Sequence, residues 1–238
     1  FVCLLAVKNS WSNVFKMPKQ IPISKIVNAV HDGYIESQKC YREWSGGYWL
    51  WRAPEYLITV NVAKKISDIE GPKFITIENK SCSAIEDAGA RGAGRLCHDI
   101  RENGRIDILV WWGNDTPRGI IEIKNQIFSN EQYEKDIKRI KGFLNRKSEN
   151  SSIQFGIFSF YDSAESGKKS AFHKIEDKIK KVTSNSREIL GGEFTVKLFK
   201  TEIFEEVKDN AWAAACLLIM RKKITLPAGN AIRNSISK

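Results

Sequence analysis

The sequence predicts an α/β fold, a mixed central sheet with helices on both faces. Three observations lead there. Apolar runs of strand length recur at "KFITIENK", "GRIDILVWW", "RGIIEIKNQ" and "EFTVKLFK", the first and last of them alternating with period 2. Stretches with helical spacing separate them or flank them, and strands interleaved with helices imply a layered α/β sheet. Finally, "SIQFGIFSFY" is an almost unbroken apolar run, as expected of a strand covered on both sides. The chain has 238 residues, 42% of them hydrophobic and 11% aromatic, which suits one large domain with a sizeable core.

Taken in order, residues 24–44 carry Ile26, Val27, Val30 and Tyr34 at helical spacing and predict an N-terminal helix. "YREWSGGYWLWRAPEY" follows. There Gly46-Gly47 breaks the chain, and Trp44, Tyr48, Trp49 and Trp51 gather around the break. Pro54 fits the first turn of a helix, where its missing N–H costs nothing. Ile58, Val62, Ile66 and Ile69 then mark one helical face, and Glu55 falls on that same face. A strand is expected at 73–80, followed by a glycine-rich loop or short helix in "SAIEDAGARGAGRLC". Strands at 104–112 and 118–126 are joined by the turn "GNDTP", so they are expected to form a hairpin. The next helix carries Tyr133, Ile137, Ile140 and Leu144, with Ser129 or Asn130 as its cap. A strand at 152–161, a lysine-rich helix at 168–181 and a strand at 193–200 come next. The apolar run "AWAAACLLIM" predicts a last, buried helix over 209–223. Residues 1–53 are read as an N-terminal helical and aromatic addition, and 54–238 as the main domain.

The formal net charge of +10 points to a polyanionic partner, most simply nucleic acid. Five cysteines with no CxxC pair, and three scattered histidines, fit reduced thiols in a cytoplasmic protein and argue against a zinc site. "FVCLLAV" and "AWAAACLLIM" both fall short of the roughly 20 residues that a membrane-spanning helix needs. Met17 is the expected natural start, which makes residues 1–16 an upstream extension.

The residues that suggest chemistry lie in the predicted hairpin. Glu122 and Lys124 are two apart on a strand, so they share a face, while Ile121 and Ile123 face the other way. Fourteen residues separate Asp107 from Glu122, a spacing that sets the two side by side. Adjacent carboxylates repel unless a cation lies between them. A hard divalent ion suits such oxygen donors and leaves water positions open to a phosphate. A lysine beside it would orient or help deprotonate a water, or stabilise charge on the phosphate. The bland alternative is a same-face ion pair on a half-exposed hairpin. For Glu55, it is a first-turn acid favoured by the helix dipole.

Asp107 followed by Glu122-Ile123-Lys124 on the next strand resembles the PD-(D/E)XK nuclease superfamily. The element order over residues 54–161 is similar to its αβββαβ, restriction-endonuclease-like core. The resemblance implies that Asp107, Glu122 and the Ile123 carbonyl hold Mg²⁺ or Mn²⁺, that Lys124 assists the attacking water, and that Glu55 adds to the site. It implies an enzyme that hydrolyses DNA phosphodiester bonds, of restriction or repair type. The sequence departs from the pattern in two places. Ile106 stands where the motif has proline, and Gln132-Tyr133 followed by Asp136 does not reproduce the RecB-like arrangement. Gln126 is expected to line the site, and Arg91 and Arg95 to touch the phosphate backbone. The lysine-rich helix is either a solvated face or a backbone-tracking one. The tryptophan cluster either covers a core or a homodimer surface, or stacks on bases. The alternative function is a nuclease-like domain that binds nucleic acid or protein without cutting.

Overall fold

The computed structural model describes residues 20–90, 100, 104–146, 151–206 and 210–222. Arg91 and Arg95, expected at the phosphate backbone, lie outside them. The helices are α1 (Ile23–Ser45), α2 (Glu55–Ser67), α3 (Ser81–Asp87), α4 (Glu131–Asn145) and α5 (Ala171–Leu190). The strands are β1 (Lys73–Lys80), β2 (Arg105–Trp112), β3 (Pro117–Asn125), β4 (Phe155–Glu165), β5 (Phe194–Lys200), β6 (Phe204–Glu206) and β7 (Asn210–Arg221). A 3₁₀ turn, Leu50–Arg52, precedes α2. The fold is mixed α/β, with a seven-stranded sheet flanked by helices.

The sheet runs β1-β2-β3-β4-β7-β5, with β6 also on β7. Among the described residues only β3 and β4 pair in parallel; the other neighbours are antiparallel. Such a parallel pair needs a crossover, and α4 supplies it. Helices α1 and α2 cover one face. There Ile26, Val30, Tyr34, Ile58, Val62 and Ile66 pack on Ile108, Ile121, Ile123 and Ile157. Helices α4 and α5 cover the other, with Tyr133, Ile137, Ile140, Phe143, Ile175 and Ile179 against Ile120, Phe158 and Phe160. Helix α1 therefore shares a core with α2 and the sheet.

The expected helix over 209–223 is a strand. β7 runs through the middle of the sheet, between β4 and β5, and is buried along nearly its whole length. Ala, Leu and Met favour helices, but that propensity is weak beside ladder pairing on both edges. A run apolar on every side reads the same whether it is a helix in the core or a strand covered on both faces. Two smaller corrections concern caps. Pro54 is the N-cap of α2 rather than part of its first turn, with extended φ and ψ of −63° and 140°. At α4, Asn130 is the N-cap, one of the two residues expected there, but it makes no side-chain capping bond. Instead Gln132 Oε1 accepts from the Phe128 and Ser129 N–H groups.

Two backbone features place the site. Glu78 takes φ of 56°, in the left-handed region, and the β1–β2 ladder steps from Ile77–Ile108 to Asn79–Ile106, leaving Asp107 unpaired. Gly156 lets α4 lie close on the sheet, since a Cβ there would meet Ile140 Cγ2 at 2.3 Å.

Asp162 on β4 is 3% exposed, and its Oδ1 finds no hydrogen-bond partner among the described residues. Burial pushes its carboxyl up to about 7, with only Lys178 opposing. A carboxyl whose folded value is raised contributes stability that is complete at low pH and is lost as pH rises through about 7. Asp162→Asn should therefore raise the melting temperature at pH 8, by a few kcal/mol of stability, and leave it nearly unchanged near pH 4. Thermal melts at the two pH values check this, and an equal gain at both would contradict it.

Candidate active site

Four elements converge on one charged cluster. The Ile108–Ile121 register of β2 and β3 sets Asp107 across from Glu122, as the spacing predicts. Ladder pairing stops there. The Ile123 N–H donates to Asp107 Oδ2 at 2.7 Å, so the carboxylate replaces a strand carbonyl. Ile121 and Ile123 pack under α1 and α2. Glu122 faces the α4 side, where Arg139 meets it. Lys124 lies at the end of β3, where its Nζ reaches Glu55 Oε1 of α2 at 3.1 Å and Asp136 Oδ2 of α4 at 3.2 Å. Glu55 Oε2 also accepts from the Asn125 N–H at 3.0 Å, which fixes the start of α2 against β3.

Glu55, Asp107, Glu122 and Lys124 are thus brought together. Asp136 and Arg139 complete the cluster, and sequence reasoning did not assign them to it. Arg139 Nη1 donates to both oxygens of Glu122, at 2.8 and 2.7 Å, and to the Arg105 carbonyl at 3.0 Å. Its Nη2 lies 3.4 Å from Asp136 Oδ1. The signal was present in the spacing. Asp136 and Arg139 sit on the turns that carry Tyr133, Ile137 and Ile140, so two charges occupy a buried face. Charges in such positions are almost always paired.

Gln126 is a correction. Its φ is 61°, which ends the strand's alternation and turns the side chain away from Lys124. Its amide is spent on Ser163: Nε2 donates to the Ser163 carbonyl at 3.0 Å, and Oε1 accepts from the Ser163 N–H at 3.0 Å. It lines a separate, aromatic pocket.

Behind the cluster, Tyr34 of α1 donates to Ser159 Oγ at 3.2 Å, and Ser159 Oγ donates to the Glu122 carbonyl at 3.3 Å. This buried relay holds the β3 backbone from below, so the N-terminal helix supports the site.

Electrostatics divide the groups. Burial pushes Asp107 up to about 6, against the Ile123 hydrogen bond and the Lys124 charge. Glu122 is 1% exposed, and burial, then the Asp107 carboxylate, push its carboxyl up, while Arg139 pulls it back. Burial acts to lower Lys124. The carboxylates of Asp136, Glu55 and Asp107 outweigh it, and the ammonium ends above its usual value. Lys124 is therefore a fixed cation at neutral pH. It can orient a water or hold negative charge, and it is a poor base.

The cluster opens into a cavity of about 310 Å³. Asp107, Glu122 and Asp136 form its floor, and the exposed side chains of Arg105 and Lys135 its rim. Four carboxyl groups surround two cations, Glu55, Glu122 and Asp136 touching Lys124 or Arg139 and Asp107 lying beside them, so acids are in surplus here. All the candidate donors are hard oxygens, and the surplus is what a divalent ion neutralises, so the donor chemistry fits Mg²⁺ or Mn²⁺. Their present spacing is less favourable. Among the described residues, no three acidic, histidine or cysteine side chains are gathered as a metal-holding group, and Arg139 engages both oxygens of Glu122. Among the same residues, no helix is long and apolar enough to cross a membrane. No family model, curated protein or solved structure matches this chain.

Proposed function

We propose that the chain is a Mg²⁺- or Mn²⁺-dependent nuclease of the PD-(D/E)XK type, with a restriction-endonuclease-like core over residues 54–161, that hydrolyses DNA phosphodiester bonds. One observation carries the reading: Asp107, Glu122 and Lys124, from two neighbouring strands, line a single cleft with an acidic floor and a basic rim, and Glu55 of α2 holds Lys124 from outside it. An acidic floor alone would repel a phosphodiester, whereas a cation on the floor and basic groups at the rim would attract it.

Asp107, Glu122 and the Ile123 carbonyl would hold the ion, with Glu55 nearby. When bound, the ion supplies charge neutralisation at the phosphate and a lowered pKa for water. Lys124, held by Glu55 and Asp136, orients the attacking water and stabilises negative charge as it develops. Arg105 and Lys135 position the phosphate backbone from the rim. Arg139, donating to both Glu122 oxygens, holds the carboxyl in place until the site is loaded.

The Glu122–Arg139 contact favours a second reading. If the guanidinium serves permanently as the cation of this cluster, the domain binds nucleic acid without cutting it. Incubation with supercoiled plasmid separates the two. The nuclease reading expects nicked or linear product with Mg²⁺ or Mn²⁺ and none with EDTA. Retention of supercoiled DNA under both conditions, together with a salt-sensitive gel shift, would establish the binding module instead.

A further inference from the structure

The aromatic pocket beside the cleft is not used by the proposed chemistry. Trp49, Trp51 and Phe128 wall a cavity of about 220 Å³, with Gln126, Ala164 and Glu165 among the other residues around it. It is joined rigidly to the site. The Asn125 side chain, next to Lys124, donates to the Leu50 and Ala53 carbonyls at 2.8 Å each, which pins the 3₁₀ turn to the end of β3. Gln126, clamped to Ser163, fixes the opposite wall.

Trp49 leans on the core beneath α1 and α2, but the other two rings are not core packing. Phe128 is 72% exposed and Trp51 43%. Large apolar rings left facing solvent around a concavity mark a binding surface. The cavity is smaller than a typical drug-sized site, so it suits one planar ring system. The Arg52 guanidinium, stacked 5.0 Å from the Trp51 ring centroid and 4.6 Å from that of Tyr48, places a positive charge beside it. Flat rings and an adjacent cation match a base and its phosphate.

We infer that this pocket takes one unpaired nucleobase of a strand lying across the cleft, stacked against Trp51 and Phe128. The inference rests on the nucleic-acid reading of the adjacent site, but not on cleavage. It makes single-stranded or locally opened nucleic acid the substrate class, because a paired base is unavailable to the pocket.

Binding in EDTA tests it, read by tryptophan fluorescence and gel shift, with a short single-stranded oligonucleotide and an abasic strand of the same length. The full chain should bind the base-bearing strand about tenfold more tightly. A Trp51→Ala, Phe128→Ala double variant should lose that preference while keeping its affinity for the abasic strand. Trp51→Phe should retain it. Both side chains are exposed, so the variants are expected to fold. Equal affinity for the two strands, or an unchanged preference in the double variant, would overturn the pocket assignment. So would failure to bind either strand. Because no hydrolysis is read, a protein that discriminates bases but never cuts plasmid keeps this inference and loses the nuclease. One that cuts plasmid but ignores the bases does the reverse.

Discussion

Arg139→Met is expected to destabilise the protein by about 3–5 kcal/mol, because it leaves the Glu122 carboxylate buried with no cation in contact. Methionine keeps most of the arginine stem's volume, so the loss reports charge more than packing. At roughly 2–4 °C per kcal/mol for a chain of this size, the melting temperature should fall by about 10 °C. Adding Glu122→Gln should recover most of it, since the double variant removes the orphaned charge along with its partner. The loss should also depend on pH. Glu122 is already pushed up by burial, and without Arg139 it rises further, so the variant suffers most above neutrality and least in acid. A divalent ion offers a sharper readout. If Asp107 and Glu122 can share Mg²⁺, millimolar Mg²⁺ should restore stability to Arg139→Met, as ligand binding to the folded state does. Thermal melts with and without Mg²⁺ measure this. A loss under about 1 kcal/mol would show that the pair does not hold the centre of the cluster, and a full loss that Mg²⁺ leaves untouched would count against the metal site.

Lys124→Ala should lower plasmid cleavage by about 10²–10³-fold, the usual cost of deleting one preorganised electrostatic group. Affinity for DNA in EDTA should change little, because Arg105 and Lys135 at the rim remain. Folding should survive, since the Lys124 side chain is 22% exposed and water can take its place between Glu55 and Asp136. The ammonium, raised above its ordinary value, stays charged across the working pH range. Its removal therefore takes away a cation and no proton acceptor, but it also removes a charge that holds the Asp107 carboxyl down, so the acid limb of the residual activity should move to higher pH. A Lys124→Ala protein that cuts as fast as the parent would end the assignment.

Much of the sheet was legible because its strands alternate. Ile106, Ile108, Ile121 and Ile123 mark buried faces, and the turn between β2 and β3 fixes a register that sets Asp107 across from Glu122. Helix α2 was legible for the same reason, down to the facing of Glu55 toward the site. β7 was misread because periodicity vanishes when every side of a segment is covered. Gln126 was misplaced because a single positive φ, invisible in a pattern of residue types, turned it toward Ser163. Three aromatics near Gly46-Gly47 proved to be surface: Trp44, Tyr48 and Trp51 are 69%, 54% and 43% exposed. Hydrophobic residue type does not determine which side of a turn faces water.

By itself, the sequence determined the alternation of strands and helices, the shared face of Glu122 and Lys124, and a basic overall charge. Those properties follow from local periodicity and composition. Only the tertiary structure decided that Arg139 and Asp136 of α4 would close over Glu122 and Lys124, and that the 3₁₀ turn would stand an aromatic pocket beside them. The physical reason is that both depend on how α4 and the segment before α2 dock on the end of β3. That docking is set by close approaches such as Gly156 against Ile140, and by single long-range hydrogen bonds, neither of which has a period to read.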